Sequence, residues 1–144
     1  MEALNATRIA LGAGAVGLAG AAFDRGLQYA KERQQFSQPI GKFQGISFKV
    51  ADMALEIELA RLMVYKAAWL LERKEKFVKE AAMAKLFASE MANRVTHEAI
   101  QIHGGYGYAK EHPLERYYRD ARLFEIFQGT SEILRVIIGG QLGL

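Results

Sequence analysis

Residues 46–71, ISFKVADMALEIELARLMVYKAAWLL, carry apolar side chains at alternating spacings of four and three. Because an α-helix completes a turn every 3.6 residues, this spacing places the side chains along one helical face. The members of the stripe are Ile46, Val50, Met53, Ile57, Ala60, Val64, Ala67 and Leu71. The stretch predicts a long amphipathic helix that packs against other helices.

Two further stripes with the same spacing flank this helix. The upstream stripe contains Leu11, Ala15, Leu18, Ala22, Gly26 and Tyr29, and the downstream stripe contains Ala81, Ala84, Ala88, Met91, Val95, Ala99 and Ile102. Proline occurs only at Pro39 and Pro113, so no stripe is interrupted by a helix breaker. We predict three long helices, joined by a turn at 36–41 and by a solvated, charged turn at 72–76.

The C-terminal third predicts shorter helices. Glycines in the segment 104–107 favour the left-handed geometry that ends a helix, and Pro113 suits the first turn of a short one. A last helix is predicted after Gly129, capped by Thr130 or Ser131. Its predicted buried face consists of Ile133, Leu134, Ile137 and Ile138. No strand-like alternation occurs, so we predict one all-α domain over residues 1–144: an up-and-down four-helix bundle with a short extra helix and a C-terminal helix.

Composition and charge exclude several functions. The 19 basic and 16 acidic residues are mixed along the chain, which argues against nucleic-acid binding, and the absence of cysteine excludes disulfides and thiolate zinc sites. His97 has no second histidine at metalloprotease spacing, so no metal is expected, and His103 is expected to be solvated. The uncharged segment 9–23 is shorter than a membrane span, so neither a span nor a signal peptide is expected.

Two glycine-containing patterns need separate interpretations. Residues 12–17, GAGAVG, match the G-x-G-x-x-G pattern, but a dinucleotide fold requires that pattern between a strand and a helix. We therefore interpret them as a small-residue face that lets another helix pack closely. The segments 104–107 and 128–132 differ, since they place free backbone N–H groups and capping side chains at helix ends, where phosphates bind.

Six motifs, in order along essentially the whole chain, resemble the C-terminal domain of the acyl-CoA dehydrogenase flavoproteins. They are YAKERQQF at 29–36, FQ at 43–44, ADM at 51–53, QIHGGYG at 101–107, RDA at 119–121 and GTSE at 129–132. The segment KEAAMAK at 79–85 is most similar to short-chain and medium-chain members. In this family an N-terminal helical domain and a middle β-domain precede the region, so the resemblance implies one domain of a larger enzyme.

The resemblance implies α,β-desaturation of acyl-CoA thioesters, in fatty-acid or amino-acid catabolism. In the family a carboxylate removes the α-proton, the β-hydrogen leaves as hydride to FAD, and the electrons then pass to an electron-transferring flavoprotein. The resemblance also implies a homo-oligomer, either a dimer or a tetramer. It implies a cytoplasmic location in a bacterium or the mitochondrial matrix in a eukaryote. The isolated chain is expected to be inactive, because much of the flavin pocket belongs to the other domains.

The motifs carry over specific site residues. FAD contacts, largely across a subunit interface, are implied for Arg33, Gln35, Phe36, Gln44, Gln101, Ile102, His103, Gly104, Gly105, Thr130, Ser131 and Glu132. Arg33 is expected to neutralise the pyrophosphate. Substrate contacts are implied for the stretch 5–8 and the last loop, namely Asn5, Thr7, Arg8, Phe127 and Gly129.

One position departs from the family pattern. Many members carry the catalytic glutamate immediately before Gly-Thr, where this chain has Gln128, preceded by Phe127 where tyrosine is usual. A glutamine amide does not accept a proton at neutral pH, and the family's alternative position on the first helix corresponds to Thr7. A deliberate substitution, a natural non-catalytic paralogue or heteromer subunit, and a base from the other domains all remain open. The rival hypotheses are a non-catalytic oligomerisation module and a helical binding domain unrelated to flavin.

Overall fold

The computed structural model describes residues 2–144, which form six α-helices and one short hairpin. The long helices are α1 (Glu2–Glu32), α2 (Gln44–Glu72) and α3 (Val78–His103). The hairpin consists of β1 (Gln34–Gln35) and β2 (Gln38–Pro39), and a 3₁₀ turn (Ile40–Lys42) leads from it into α2. The remaining helices are α4 (Gly105–Tyr108), α5 (Leu114–Phe124) and α6 (Ser131–Gln141). The predicted all-α fold is confirmed.

Helix α3 is the centre of the bundle and packs against α1, α2, α5 and α6. All seven residues of its predicted stripe are buried, and its alanines let α1 approach closely. A Cβ atom added at Gly12 of α1 would lie only 3.0 Å from Val64 Cγ2 of α2. The interpretation of residues 12–17 as a close-packing face is therefore confirmed at Gly12. A Cβ atom added at Gly17 would meet no packing neighbour within 4 Å among the described residues.

The hairpin between α1 and α2 was not predicted. Its two turn residues, Phe36 and Ser37, have φ angles of 52° and 65°, as the two central residues of a type I′ turn require. Gln34 pairs with Pro39 and Gln35 with Gln38. Each strand has two residues, too few to show the alternation that reveals a strand in a sequence. The prediction that the chain has no strand is wrong here.

Most of the predicted C-terminal elements are confirmed. Helix α3 ends at His103, followed by Gly104 with a φ of 60°, and α5 begins directly after Pro113. Thr130 caps α6, since its hydroxyl accepts the Ile133 N–H at 3.4 Å. The four-residue helix α4 was not predicted. Ile133 was predicted to be buried but is half exposed, because α6 turns only the Leu134 side towards α3.

Helix α1 is longer than its stripe predicted, and residues 3–32 include a window with a mean hydropathy of 1.4. By length and composition this helix is able to cross a membrane. Ala15, Ala19 and Ala22 are fully buried in the bundle, so a core helix explains the same composition. The expectation of no membrane span stays a prediction. The turn at residues 73–76 is exposed, as expected.

Candidate functional site

The predicted site residues lie in two groups at opposite ends of α1. The loop cluster contains Asn5, Arg8, Lys85 and residues 127–132. The hairpin cluster contains residues 33–36, Gln44 and residues 101–105. Because a helix rises 1.5 Å per residue, Arg8 and Arg33 are separated by roughly 37 Å along α1. One chain therefore presents two separate candidate sites.

The hairpin cluster surrounds an open depression of about 320 Å³. Seven of the predicted cofactor residues line it together with Tyr29, Ile40 and Tyr106: Arg33, Gln35, Gln101, Ile102, His103, Gly104 and Gly105. Phe36 stands beside the depression at the hairpin tip, 88% exposed, with its ring edge-on to Phe43 at 6.1 Å. Gln44 is exposed at the start of α2. The depression offers a cation, amide groups and glycine backbone, which suit a phosphate-bearing ligand.

His103 is the most constrained side chain of the hairpin cluster. Its ring stacks on Tyr29 with the centroids 4.2 Å apart, and its Nδ1 lies 2.8 Å from the Ala99 carbonyl oxygen. Because a carbonyl only accepts hydrogen bonds, Nδ1 carries the proton and Nε2 is the acceptor. Burial lowers the pKa of His103, so the ring is neutral at pH 7. The expectation of a solvated His103 is wrong, because α1 covers the end of α3 and leaves the residue 8% exposed.

The loop cluster is built around an unusual backbone conformation between α5 and α6. Gln128 has a φ of 54° and Gly129 a φ of 110°. A side chain other than glycine is strained in the left-handed region, by about 1–2 kcal/mol. The Ser131 N–H donates to the Glu125 carbonyl at 3.2 Å and closes the loop. The Gln128 side chain is exposed, so the loop presents it to the surface.

Two buried cations hold this loop through its carbonyl groups. Arg8 Nε donates to the Gln128 carbonyl at 3.3 Å, and Lys85 Nζ donates to the Gly129 carbonyl at 2.7 Å. A second Arg8 nitrogen donates to Asn5 Oδ1 at 2.7 Å. Arg8 is 6% exposed and Lys85 is fully buried. Among residues 3–144, no carboxylate oxygen lies within 4.0 Å of either cation.

Burial of these cations changes their acidity. Burial, and after it the positive charge of Arg8, lowers the pKa of Lys85 to about 8. Burial also lowers the pKa of Arg8. Lys85 was not among the predicted site residues. The available signal was a charged residue within the alanine-rich segment 81–88, where the neighbouring stripe positions are apolar.

The other predicted residues of the loop cluster have distinct surroundings. The Thr7 hydroxyl lies 3.0 Å from the Ala3 carbonyl and 2.9 Å from the Leu4 carbonyl, so it donates its single proton within α1. Phe127 packs edge-on against Phe124 at 5.5 Å. Ser131 is 7% exposed, and its hydroxyl has no hydrogen-bond partner among the described residues. The pKa of Glu132 is lowered, chiefly by a hydrogen bond from its own backbone N–H and then by the Thr130 hydroxyl. The first N–H groups of α6 are already engaged, since Ser131 donates to the Glu125 carbonyl, Glu132 to its own carboxylate and Ile133 to Thr130. The Ser131 hydroxyl, which has no partner among the described residues, is therefore the group at the start of α6 that fits a phosphate or carbonyl oxygen.

Known proteins similar to this chain share one family. A family model described as "Acyl-CoA dehydrogenase, C-terminal domain" matches residues 1–143. The chain is 62% identical, over 96% of its length, to the probable acyl-CoA dehydrogenase YngJ of Bacillus subtilis, of which it covers 37%. It is 53% identical, over 99% of its length, to the mitochondrial short-chain specific acyl-CoA dehydrogenase of Bos taurus, of which it covers 34%.

Two further similarities concern an assembly and a solved structure. The chain is 47% identical, over 99% of its length, to subunit CarC of the caffeyl-CoA reductase–Etf complex of Acetobacterium woodii, of which it covers 38%. It superposes on butyryl-CoA dehydrogenase from Megasphaera elsdenii with a TM-score of 0.96 and 48% identity, covering 98% of this chain and 37% of that one. The chain thus spans little more than a third of the length of these relatives.

Proposed function

The chain belongs to the acyl-CoA dehydrogenase family, as the C-terminal domain of that family, and from this we propose that it forms the FAD-facing and acyl-CoA-facing helical part of an acyl-CoA desaturase. The observation that carries the proposal is the loop cluster. Arg8 and Lys85, both buried, hold the Gln128–Gly129 backbone in a strained conformation at the position where the resemblance implies the catalytic base of many family members. Such strain persists where the surrounding structure enforces it, as at functional sites.

The hairpin cluster supports FAD as the cofactor. When bound, FAD supplies the hydride acceptor that side chains lack. Arg33 provides a positive charge for the pyrophosphate, and the neutral His103 ring provides an acceptor at Nε2. The Ser131 hydroxyl, buried at the start of α6 with no partner in the part of the chain that the structure describes, supports a second contact with the cofactor. These residues bind and orient the cofactor, while the remainder of its site lies in other domains.

The distance between the clusters supports a symmetric oligomer. Both clusters carry predicted FAD contacts, yet roughly 37 Å of helix separates Arg8 from Arg33. We infer that the two clusters of one chain serve different FAD molecules, and that symmetry brings the hairpin cluster of one copy to the loop cluster of another. We further propose an electron-transferring flavoprotein as the electron acceptor, in the cytoplasm of a bacterium or the mitochondrial matrix of a eukaryote.

The chemistry of position 128 defines what the chain does as it stands. A carboxylate there would remove the substrate's α-proton, whereas the Gln128 amide holds hydrogen bonds without accepting a proton. The Thr7 position offers no carboxylate either. We therefore propose that the chain binds and orients the acyl-CoA but, without a base from elsewhere, does not start the reaction.

A second candidate is a non-catalytic oligomerisation module or heteromer subunit of the same family. Apolar residues remain exposed along α2 at the spacing of helix–helix interfaces: Phe48, Leu55, Leu59, Leu62 and Trp69, each 45–60% exposed. A surface of this kind marks an interaction site. Loss of the base together with retention of such a face is what a purely structural subunit would show.

The Gln128→Glu variant separates the two functions. The experiment uses the native-length protein, whose mass spectrum first shows whether the polypeptide exceeds 16.1 kDa. We expect the variant, loaded with FAD and given an acyl-CoA and a dye acceptor, to turn over at least about 10²-fold faster than the parent, since a general base contributes this much. Gln128→Asn, which keeps an amide, serves as the control and should show no gain. A flavin-loaded Gln128→Glu protein without added activity would favour the oligomerisation module.

A further inference from the structure

Lys85 is placed where packing alone would favour a different residue. It lies on α3 between the fully buried Ala84 and Ala88 and is itself fully buried. Burying an ammonium group costs several kcal/mol unless it is paired, and an apolar residue of similar volume often packs at least as well. The only hydrogen bond formed by its Nζ among the described residues is the 2.7 Å bond to the Gly129 carbonyl. The buried ammonium group thus interacts with one atom of the loop, the carbonyl oxygen of Gly129.

The geometry of the loop shows what this bond achieves. The carbonyls of residues 128 and 129 belong to consecutive peptide units, and each accepts from a different buried cation, Arg8 of α1 and Lys85 of α3. Fixing two consecutive peptide planes fixes the backbone angles between them. Those angles include the positive φ of Gly129, next to the positive φ of Gln128. Two helices of the core therefore determine the direction in which side chain 128 leaves the loop.

We propose that Lys85 is a positioning residue, which acts with Arg8 to hold the 128–129 backbone so that the side chain at position 128 faces the acyl-CoA. The inference rests on the proposed function, which supplies the substrate, and deepens it by assigning a role to a residue outside the implied site. Both cations bind backbone oxygens, so the arrangement serves glutamine and glutamate at position 128 alike. Lys85 does not touch substrate or cofactor in this role.

The test compares Lys85→Met with Lys79→Met in the native-length protein. Methionine keeps an unbranched side chain, one heavy atom shorter, and removes the ammonium. Lys79 lies on the same helix, partly exposed and paired with Glu80 at 3.6 Å. In the Lys85→Met protein we expect the amides of residues 127–131 to exchange with solvent at least about 10-fold faster, as loss of a charged hydrogen bond implies. The thermal unfolding temperature of the Lys85→Met protein should be unchanged or higher than that of the parent. Lys79→Met should leave the loop exchange unchanged.

A second readout uses the Gln128→Glu background. There Lys85→Met should lower kcat by at least about 10-fold and change KM less than about 3-fold. The reason is that a misplaced base reduces the stabilisation of the transition state and leaves substrate binding nearly unchanged. Lys85→Gln keeps a neutral donor and should fall between parent and methionine variant; it also replaces Lys85→Met should that protein fail to fold. Loop exchange and kcat equal to those of the Lys79 control would overturn the proposal. If every Gln128→Glu protein is inactive, the proposed function fails, while the exchange rates still decide the role of Lys85.

Discussion

The stability of the 144-residue chain should rise with pH between about pH 8 and 10.5, because of Lys85. Burial lowers the pKa of Lys85 from 10.5 to about 8 in the folded chain. Between these values the unfolded chain keeps the proton that the folded chain has released. Since the unfolded state then binds more protons, the free energy of unfolding increases with pH. The charged ammonium thus costs stability fully below pH 8, and the cost disappears towards pH 10.5.

The magnitude follows from the difference between the pKa of Lys85 in the unfolded chain, 10.5, and in the folded chain, about 8. At 1.36 kcal/mol per pKa unit, burial of the charged ammonium costs about 3 kcal/mol at pH 7 and about 1 kcal/mol at pH 9.5. The lysine titrates over this interval and methionine does not. The stability difference between the parent chain and Lys85→Met should therefore change by about 2 kcal/mol, in favour of the parent as pH rises.

Urea unfolding at pH 7.0, 8.0, 9.0 and 9.5 measures this difference. Each free energy is extrapolated to water for the parent, Lys85→Met and Lys79→Met, and the Lys79 variant corrects for the loss of one positive charge. A parent-minus-Lys85→Met difference that stays constant over this range would refute the reasoning, because it would show that folding does not change the proton affinity of Lys85.

Two further predictions concern cofactor binding and the backbone of the loop. Titrated with FAD and followed by flavin fluorescence, the 144-residue chain should bind weakly or not at all, because the hairpin depression of about 320 Å³ is open and forms one part of the site; submicromolar affinity would contradict the proposal that other domains complete it. Gly129→Ala should destabilise the chain by about 1–2 kcal/mol in urea unfolding, since the φ of 110° at this position strains any side chain and the new Cβ would lie 3.5 Å from Arg8. The control is Gly17→Ala, whose new Cβ would lie in a helix with no packing neighbour within 4 Å among the described residues and which should stabilise the chain by about 0.5–1 kcal/mol. Equal effects of the two substitutions on the free energy of unfolding would count against a strained loop.

The sequence predicted those parts of the fold that repeat. Helices α2 and α3 were predicted from eight and seven regularly spaced apolar positions. A pattern of that length still indicates a helix when single positions depart from it. The hairpin at 34–39 has no repeat, and its positive φ angles fall on Phe36 and Ser37, residue types that rarely indicate such a turn. The prediction that Ile133 is buried was wrong because tertiary packing alone decides which side of a short helix is buried.

The site was predictable only as far as the family motifs reach. The motifs named the residues of both clusters, but neither the roughly 37 Å between them nor the burial of His103 follows from their order in the chain. Lys85 shows the limit most clearly. In the sequence it is one lysine among 19 basic residues, and its role depends on a carbonyl 44 positions further along. Contacts of this kind leave no local pattern.

The structure separates the support of position 128 from the chemistry performed there. Glutamine and glutamate have nearly the same shape, and Arg8 and Lys85 bind the loop through carbonyl oxygens that every residue possesses. A change of side chain at position 128 therefore leaves both hydrogen bonds intact. The loop keeps its strained backbone and the chain keeps two buried cations, although both cost free energy. If only an oligomerisation module were required, an apolar residue at position 85 would be favoured, so the presence of a buried lysine there argues that the chain positions a side chain for a bound acyl-CoA.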